Sequence, residues 1–177
     1  MGRKSSINKV KRSNVASKNI EACLIMSLYE KGHSPITSHF SGHGMGECDV
    51  LSISKSDFIY EYEVKISRAD FKKDFKKDKH RLITEKKFTI DRKITENNII
   101  ITDPLILVAN YFYFVTPTNL VTADEVPTYA GLMYMNEKGL FEVIKKAPFI
   151  HKTKATSSFI RTLSHQLTCK LVFNKVM

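Results

Sequence analysis

No apolar run in this 177-residue chain approaches the roughly 18 residues that a membrane span requires. The N-terminus is basic but lacks the apolar core of a secretory signal, so it is not expected to act as one. Cysteine is scarce and odd in number. Cys23, Cys48 and Cys169 lie in apolar or strand-like contexts, which argues for free thiols in a reducing compartment, the cytoplasm, and against a disulfide framework. There is no Walker A loop, G-x-S-x-G elbow or dinucleotide-binding glycine pattern, which removes the commonest nucleotide-cradling and serine-hydrolase readings. No internal repeat or low-complexity tract appears either.

Acidic residues are missing from both ends. Residues 1–18 carry +6 and residues 145–177 carry +7, neither with a single Asp or Glu. Residues 65–93 add +7, while residues 19–64 and 94–144 come to −5 each, for a net +10. An acidic segment flanked by strongly positive ones fits a cation-dependent centre on a phosphate-binding surface. The hydrophobic fraction of 42% suits one globular domain long enough to bury a core. That domain is expected over residues 18–177, after a flexible basic arm at 1–17 for which nucleic-acid contact and simple solubility are equal readings.

The chemistry concentrates between Gly46 and Asp70. Phe58, Tyr60, Tyr62, Val64 and Ile66 alternate with Ile59, Glu61, Glu63 and Lys65. A period of two puts the aromatic and aliphatic set on one face of a strand and the three charges on the other. The turn Lys55-Ser56-Asp57 predicts an antiparallel hairpin. Pairing Ser54 with Phe58 sets Asp49 opposite Glu63 and Glu47 opposite Lys65. Directly opposed side chains have Cβ atoms about 4.5–5.5 Å apart, where like charges are destabilising. Something positive should therefore sit between the acids, and a divalent cation with Lys65 beside it would serve. Mg²⁺ takes carboxylate oxygens, keeps several waters and accepts phosphate oxygens. A surface charge cluster on a hairpin is the bland alternative.

Asp49 followed by Glu63-Val64-Lys65 resembles the PD-(D/E)XK nuclease superfamily, with Cys48 where the signature's proline often stands. The longer run DVL…YEYEVKISRADFKKDFKKDKH, with NYFYFVTP and EVPTYAGLMYM after it, looks like a branch of small DNA-repair and phage-encoded members. The resemblance implies an α/β fold, a restriction-endonuclease-like sandwich with a mixed central sheet and helices on both faces. It implies Asp49 and Glu63 as metal ligands, the Val64 carbonyl as a further one, and Lys65 as the residue assisting the attacking water. Glu21 and Glu47 are additional metal candidates, and Glu47 or Glu61 would assist a second metal; Glu61 reads equally as solvent-facing. The expected cofactor is Mg²⁺, with Mn²⁺ able to substitute, and the expected partner is nucleic acid, above all DNA. The expectation is thus a metal-dependent nuclease acting in DNA repair, recombination or phage DNA processing. Its alternatives are a non-catalytic DNA-binding repair or assembly protein and an RNA-directed nuclease. Nothing argues for a membrane partner, and homo-oligomerisation is open.

Ser67-Arg68-Ala69-Asp70 has the shape of a capping box opening a helix. Phe71 and Phe75 begin its buried stripe, continuing towards Leu82. Arg68, Lys72, Lys73, Lys76, Lys77, Lys79, His80 and Arg81 fall on its outer surface. A charged helix face is usually a solvated face, but a positive excess directly after the carboxylate strand favours a grip on phosphates. Asp70, Asp74 and Asp78 recur every fourth residue and suggest intrahelical pairs with the lysines.

Elsewhere, Ile20, Cys23, Leu24, Ser27 and Leu28 predict a helix from about Ser17 to Gly32. A three-strand meander is expected over 36–40, 48–54 and 58–66. Residues 84–109 read poorly, as short strands at 88–90 and 98–101 with a break at Asp103-Pro104, and look like an insertion shaping substrate choice. Residues 110–115 predict a central strand, 131–135 and 140–144 a hairpin, and 155–170 a helix. His33, His39 and His43 lack paired cysteines or helical i, i+4 spacing, which disfavours zinc. His39 or His43 would reach substrate phosphate if their loop folded over the site, but a loop or edge histidine with no metal role is the favoured reading.

Overall fold

A computed structural model of the chain describes residues 3–42, 44–96 and 99–176. Helix α1 spans Arg3–Glu30. It begins well before the expected Ser17, so most of the expected arm is helical. No Gly or Pro interrupts the stretch, and its Ser and Asn residues cost a helix only tenths of a kcal/mol each, roughly. At its end Gly32 N–H donates to the Tyr29 carbonyl (2.8 Å) and His33 N–H to that of Leu28 (3.0 Å). That pair of bonds turns the chain through a left-handed residue, and Gly32 has φ +78°.

Strands β1 (Ile36–Ser41), β2 (Glu47–Ile53) and β3 (Ile59–Val64) form the expected meander. The register is the one read from the alternation, with Val50 opposite Tyr62, Leu51 opposite Glu61 and Ile53 opposite Ile59. Helices α2 (Arg68–Asp74) and α3 (Asp78–Thr84) follow. Strands β4 (Thr89–Glu96) and β5 (Ile99–Ile106) make a separate two-stranded sheet. β6 (Tyr111–Pro117), β7 (Gly131–Met135), β8 (Phe141–Lys145) and α4 (Ser157–Val176) complete the chain. The main sheet runs β1-β2-β3-β6-β7-β8. β6 lies parallel to both β3 and β7, and the other neighbours are antiparallel. The architecture is a mixed α/β fold. Among the described residues no helix is long and apolar enough to cross a membrane, and the three cysteines are free.

Each face of the sheet takes its cover from strand parity. Ile20, Leu24 and Leu28, one face of α1, pack on Val50, Tyr62, Val64, Val115 and Met133. On the opposite face Leu51, Ile53 and Ile59 meet Phe159 and Leu163 of α4. Further along it, Phe112, Phe114 and Leu132 meet Phe71 of α2.

Two expectations about the connecting segments need correction. Asp103-Pro104 does not break the chain, because both residues lie within β5, opposite Arg92 and Asp91. A two-stranded sheet has only edge strands, where the missing Pro N–H can face solvent. The helix expected to run from Ser67 towards Leu82 stops after Asp74 and restarts at Asp78, with Lys77 extended at φ −71°, ψ 140°.

Buried Asn110 ties the far end of the sheet together. Its Oδ1 accepts from Ile59 N–H (2.7 Å), and its Nδ2 donates to the carbonyls of His151 (2.7 Å) and Thr153 (2.8 Å). Asn110→Ala strands those three backbone groups away from water, at a cost of about 2–3 kcal/mol. A denaturant melt of the variant reads that loss as a lower midpoint with an unchanged slope.

Candidate functional site

Pairing between β2 and β3 ends at Val50–Tyr62. Beyond it, β3 is held by β6, and the Val64 N–H donates to Asp49 Oδ2 (2.8 Å). Asp49 therefore shares the strand face of Glu63 at the rim of the sheet, as the register requires. Burial, with Glu63 as a like charge nearby, pushes the Asp49 carboxyl up to about 6.

The face carrying Glu61, Glu63 and Lys65 is not open to water. All three are buried, because α2 and α3 lie over them and supply counter-charges. Glu61 is thus neither solvent-facing nor free for a second metal: it is paired with Lys79. Lys79 Nζ also donates to Glu63 Oε1 (2.8 Å) and to the Glu47 carbonyl (2.8 Å), so each of its three N–H bonds has an acceptor. The sequence places Lys79 on an outer, nucleic-acid-facing surface; it is instead buried in this network. In an unbroken helix residues 77 and 79 would point about 200° apart. The break at Phe75–Lys77 is what lets both reach one carboxylate.

Lys65 Nζ lies 2.7 Å from Glu63 Oε2, 2.8 Å from Asp74 Oδ1 and 4.0 Å from Asp49 Oδ2. Lys77 Nζ contacts the first two of these oxygens, at 2.6 Å and 2.8 Å. Burial would lower the pKa of Lys65, but Glu63 and Asp74 outweigh it and hold the value well above that of an ordinary lysine. Asp74 shows the converse. Burial would raise its carboxyl, while the His80 bond and the lysine ammoniums hold it far below the usual carboxylate range. With Asp74 ionised, His80 Nε2–H donates to Asp74 Oδ2 (2.8 Å), and in the neutral ring Nδ1 accepts from Tyr129 O–H (2.8 Å). Sequence reasoning misses Asp74, His80 and Tyr129 as parts of the site. The available signal is that Asp74 falls on the apolar Phe71/Phe75 side of its helix.

Two clefts open beside this network. One, of about 280 Å³, is lined by Asp49, Val64, Lys65, Glu47, Lys73 and Lys77 among others. The other, of about 540 Å³, is lined by Gly44–Glu47 together with Lys76, Lys77 and Arg81. Glu47 and Lys77 border both. Of the expected phosphate contacts, Lys72, Lys73 and Lys76 are exposed, and among the described residues no carboxylate pairs with them. Arg68 is exposed but held by Glu125, and Arg81 is held by Asp78 and Glu85. Of the three aspartates expected to pair along the helix with lysines, Asp74 pairs with Lys77, and Asp78 pairs with Arg81 instead.

Two other candidates have partners of their own. Glu21 accepts from Ser17 Oγ (3.0 Å) and pairs with His39 Nε2 (3.1 Å). His33 Nδ1 lies 2.8 Å from Ser52 Oγ. His43 lies outside the described residues.

Among the described residues no three His, Cys, Asp or Glu side chains are grouped as a ready metal cage. The donor chemistry nonetheless fits a cation beside Asp49. Four carboxylates (Asp49, Glu61, Glu63, Asp74) face three ammoniums (Lys65, Lys77, Lys79). Asp49 makes the longest of these ion contacts, 4.0 Å to Lys65, and its carboxyl is raised chiefly by burial. Glu63 can join such a cation only if an ammonium leaves its Oε2.

No family model matches the chain, and no curated protein does. Among solved structures the chain aligns with the SPO1766 protein of unknown function from Silicibacter pomeroyi. Identity is 16% and the TM-score 0.48, over 78% of this chain and 75% of that one.

Proposed function

We propose that the protein is a metal-dependent nuclease that hydrolyses phosphodiester bonds in DNA at the cleft beside Asp49. The observation that carries this reading is that Asp49, Glu47 and Lys65 line one cleft together with Lys73 and Lys77, while the Lys65 ammonium links Asp49 to the buried Glu63 behind it. The mixed sheet covered by helices on both faces supports a restriction-endonuclease-like sandwich. Asp49, Glu63, the Glu47 side chain and the Val64 carbonyl would hold Mg²⁺ or Mn²⁺. Once bound, that ion supplies a water of lowered pKa and Lewis-acid stabilisation of the phosphoryl oxygens.

Glu63 and Asp74 favour the ammonium form of Lys65, which suits it to orienting the attacking water and neutralising charge. Its fixed ammonium balances the negative charge that builds on the phosphorane, a stabilisation strengthened by its buried, preorganised setting. Lys72, Lys73 and Lys76 draw the phosphate backbone across the cleft mouth, so binding weakens steeply with salt.

A second reading follows from the capping of both Glu63 oxygens by lysines. It is a non-catalytic DNA-binding repair or assembly protein that keeps the fold. A panel of single-stranded, duplex and branched DNA and single-stranded RNA, with Mg²⁺ or with chelator, separates the two. Cleavage of DNA that needs Mg²⁺, lost in Lys65→Ala while binding persists, is the expected result. Binding with no cleavage of any substrate in Mg²⁺ or Mn²⁺ makes the protein a binding module, and cleavage confined to RNA redirects the substrate.

A further inference from the structure

Lys65 and Lys77 both contact Glu63 Oε2 and Asp74 Oδ1, but they are not equivalent. The Lys65 side chain is 5% exposed and follows the strand that carries Glu63; that of Lys77 is 39% exposed and springs from the break between α2 and α3. Lys77 also borders both clefts, the one at Asp49 and the more basic one beside Lys76 and Arg81. If its ammonium left, Glu63 would still hold Lys65 and Lys79, and Asp74 would still hold Lys65 and His80. The network therefore survives without Lys77, whereas removal of Lys79 leaves buried Glu61 without its partner, and Lys65, unlike Lys77, has almost no access to solvent through which to leave.

From this asymmetry we infer that Lys77 is a displaceable internal counter-ion, holding on Glu63 Oε2 the position of a divalent cation and yielding it when the ion binds. The released side chain turns to the second cleft, where a phosphate of the nucleic acid takes its charge. The inference rests on reading the Asp49 cleft as a divalent-cation centre, and it makes metal affinity a competition that a single ammonium controls. Two unit charges this close repel by several kcal/mol even at an effective dielectric near 20, so Lys77 is expected to weaken cation binding by at least about tenfold.

Mn²⁺ binding to the full chain, followed by loss of the free-ion EPR signal and by calorimetry, tests this. Lys77→Met is expected to bind Mn²⁺ at least about tenfold tighter than the natural protein, and Lys77→Arg to bind as the natural protein does. Adding Asp49→Asn to Lys77→Met should abolish the gain. Lys77→Met binding no tighter overturns the inference, as does a gain that survives Asp49→Asn. If Lys77→Met gains affinity while no nucleic acid is cleaved, the hydrolytic reading falls and this one stands. If Mg²⁺-dependent cleavage is found without any gain, the reverse holds. Failure of both the natural protein and Lys77→Met to bind Mn²⁺ rejects both.

Discussion

Lys79→Met is expected to lower the thermal midpoint by about 10 °C, the largest stability loss of any single change in the site. Lys79 satisfies two buried carboxylates and one carbonyl with a single ammonium. Methionine keeps an apolar stem of similar length but removes the charge, which lies 6.0 Å from the centre of the Phe112 ring. Breaking a buried ion pair from one side costs about 3–5 kcal/mol, because the acid left behind must find a proton or stay ionised without a partner. Each kcal/mol is worth about 2–4 °C in a domain of this size. Pairing the change with Glu61→Leu removes the stranded acid as well, and the double variant should recover most of the midpoint. Circular-dichroism melts of the natural chain, the two single variants and the double variant form a closed cycle. A midpoint for Lys79→Met within about 2 °C of the natural protein would mean that Lys79 is solvated, as its place in a lysine-rich helix suggests from sequence alone.

That suggestion fails for a physical reason. The hairpin is legible because it obeys local rules. Alternation of period two and a three-residue turn determine one register, and the structure has it, from Ile53–Ile59 to Val50–Tyr62. The central place of β6 is legible from the apolar character of both its faces, and the β7–β8 hairpin from its Asn136–Gly139 turn. What covers the charged face of β3 is not. Glu61, Glu63 and Lys65 look solvent-facing in isolation, and the residues between Lys72 and Arg81 look like one amphipathic helix with a wet side. Only folding brings the two segments together, and each then removes the other's reason to face water. The hint in the sequence is one of parity. Three acids (Glu61, Glu63, Asp74) fall on sides that Ile59 and Phe71 mark as inward, and inward acids require inward cations. Phe75, expected on the same buried stripe, is 38% exposed because the helix ends beside it. Pro104 within β5 escapes notice for the converse reason. A proline argues against a central strand, but this segment forms only a two-stranded sheet.

Replacing Asp49 should stabilise the protein. Its carboxyl stands at about 6 in the fold against an ordinary value of 3.8, burial being the main cause and Glu63 the next. Between those limits the folded protein holds a proton that the unfolded chain has released. Stability therefore falls as pH rises from about 4 to about 6, then levels. A carboxyl raised that far costs the fold about 3 kcal/mol at neutral pH, which the 27% exposure of the side chain reduces to about 2 kcal/mol. Asp74 works in the opposite sense, since its depressed carboxyl contributes stability above the ordinary value that is lost as pH falls below it. It is present in both proteins and cancels in a comparison. Asp49→Asn cannot ionise, and its side-chain oxygen can still accept from the Val64 N–H. Denaturant unfolding at a series of pH values should give nearly equal stabilities at pH 4 and an advantage for Asp49→Asn of about 2 kcal/mol by pH 7.5. A difference that does not change with pH would mean that Asp49 already has its counter-charge. An acid whose removal strengthens the fold at neutral pH contributes nothing to stability there, and that result would be consistent with the cation role proposed for Asp49.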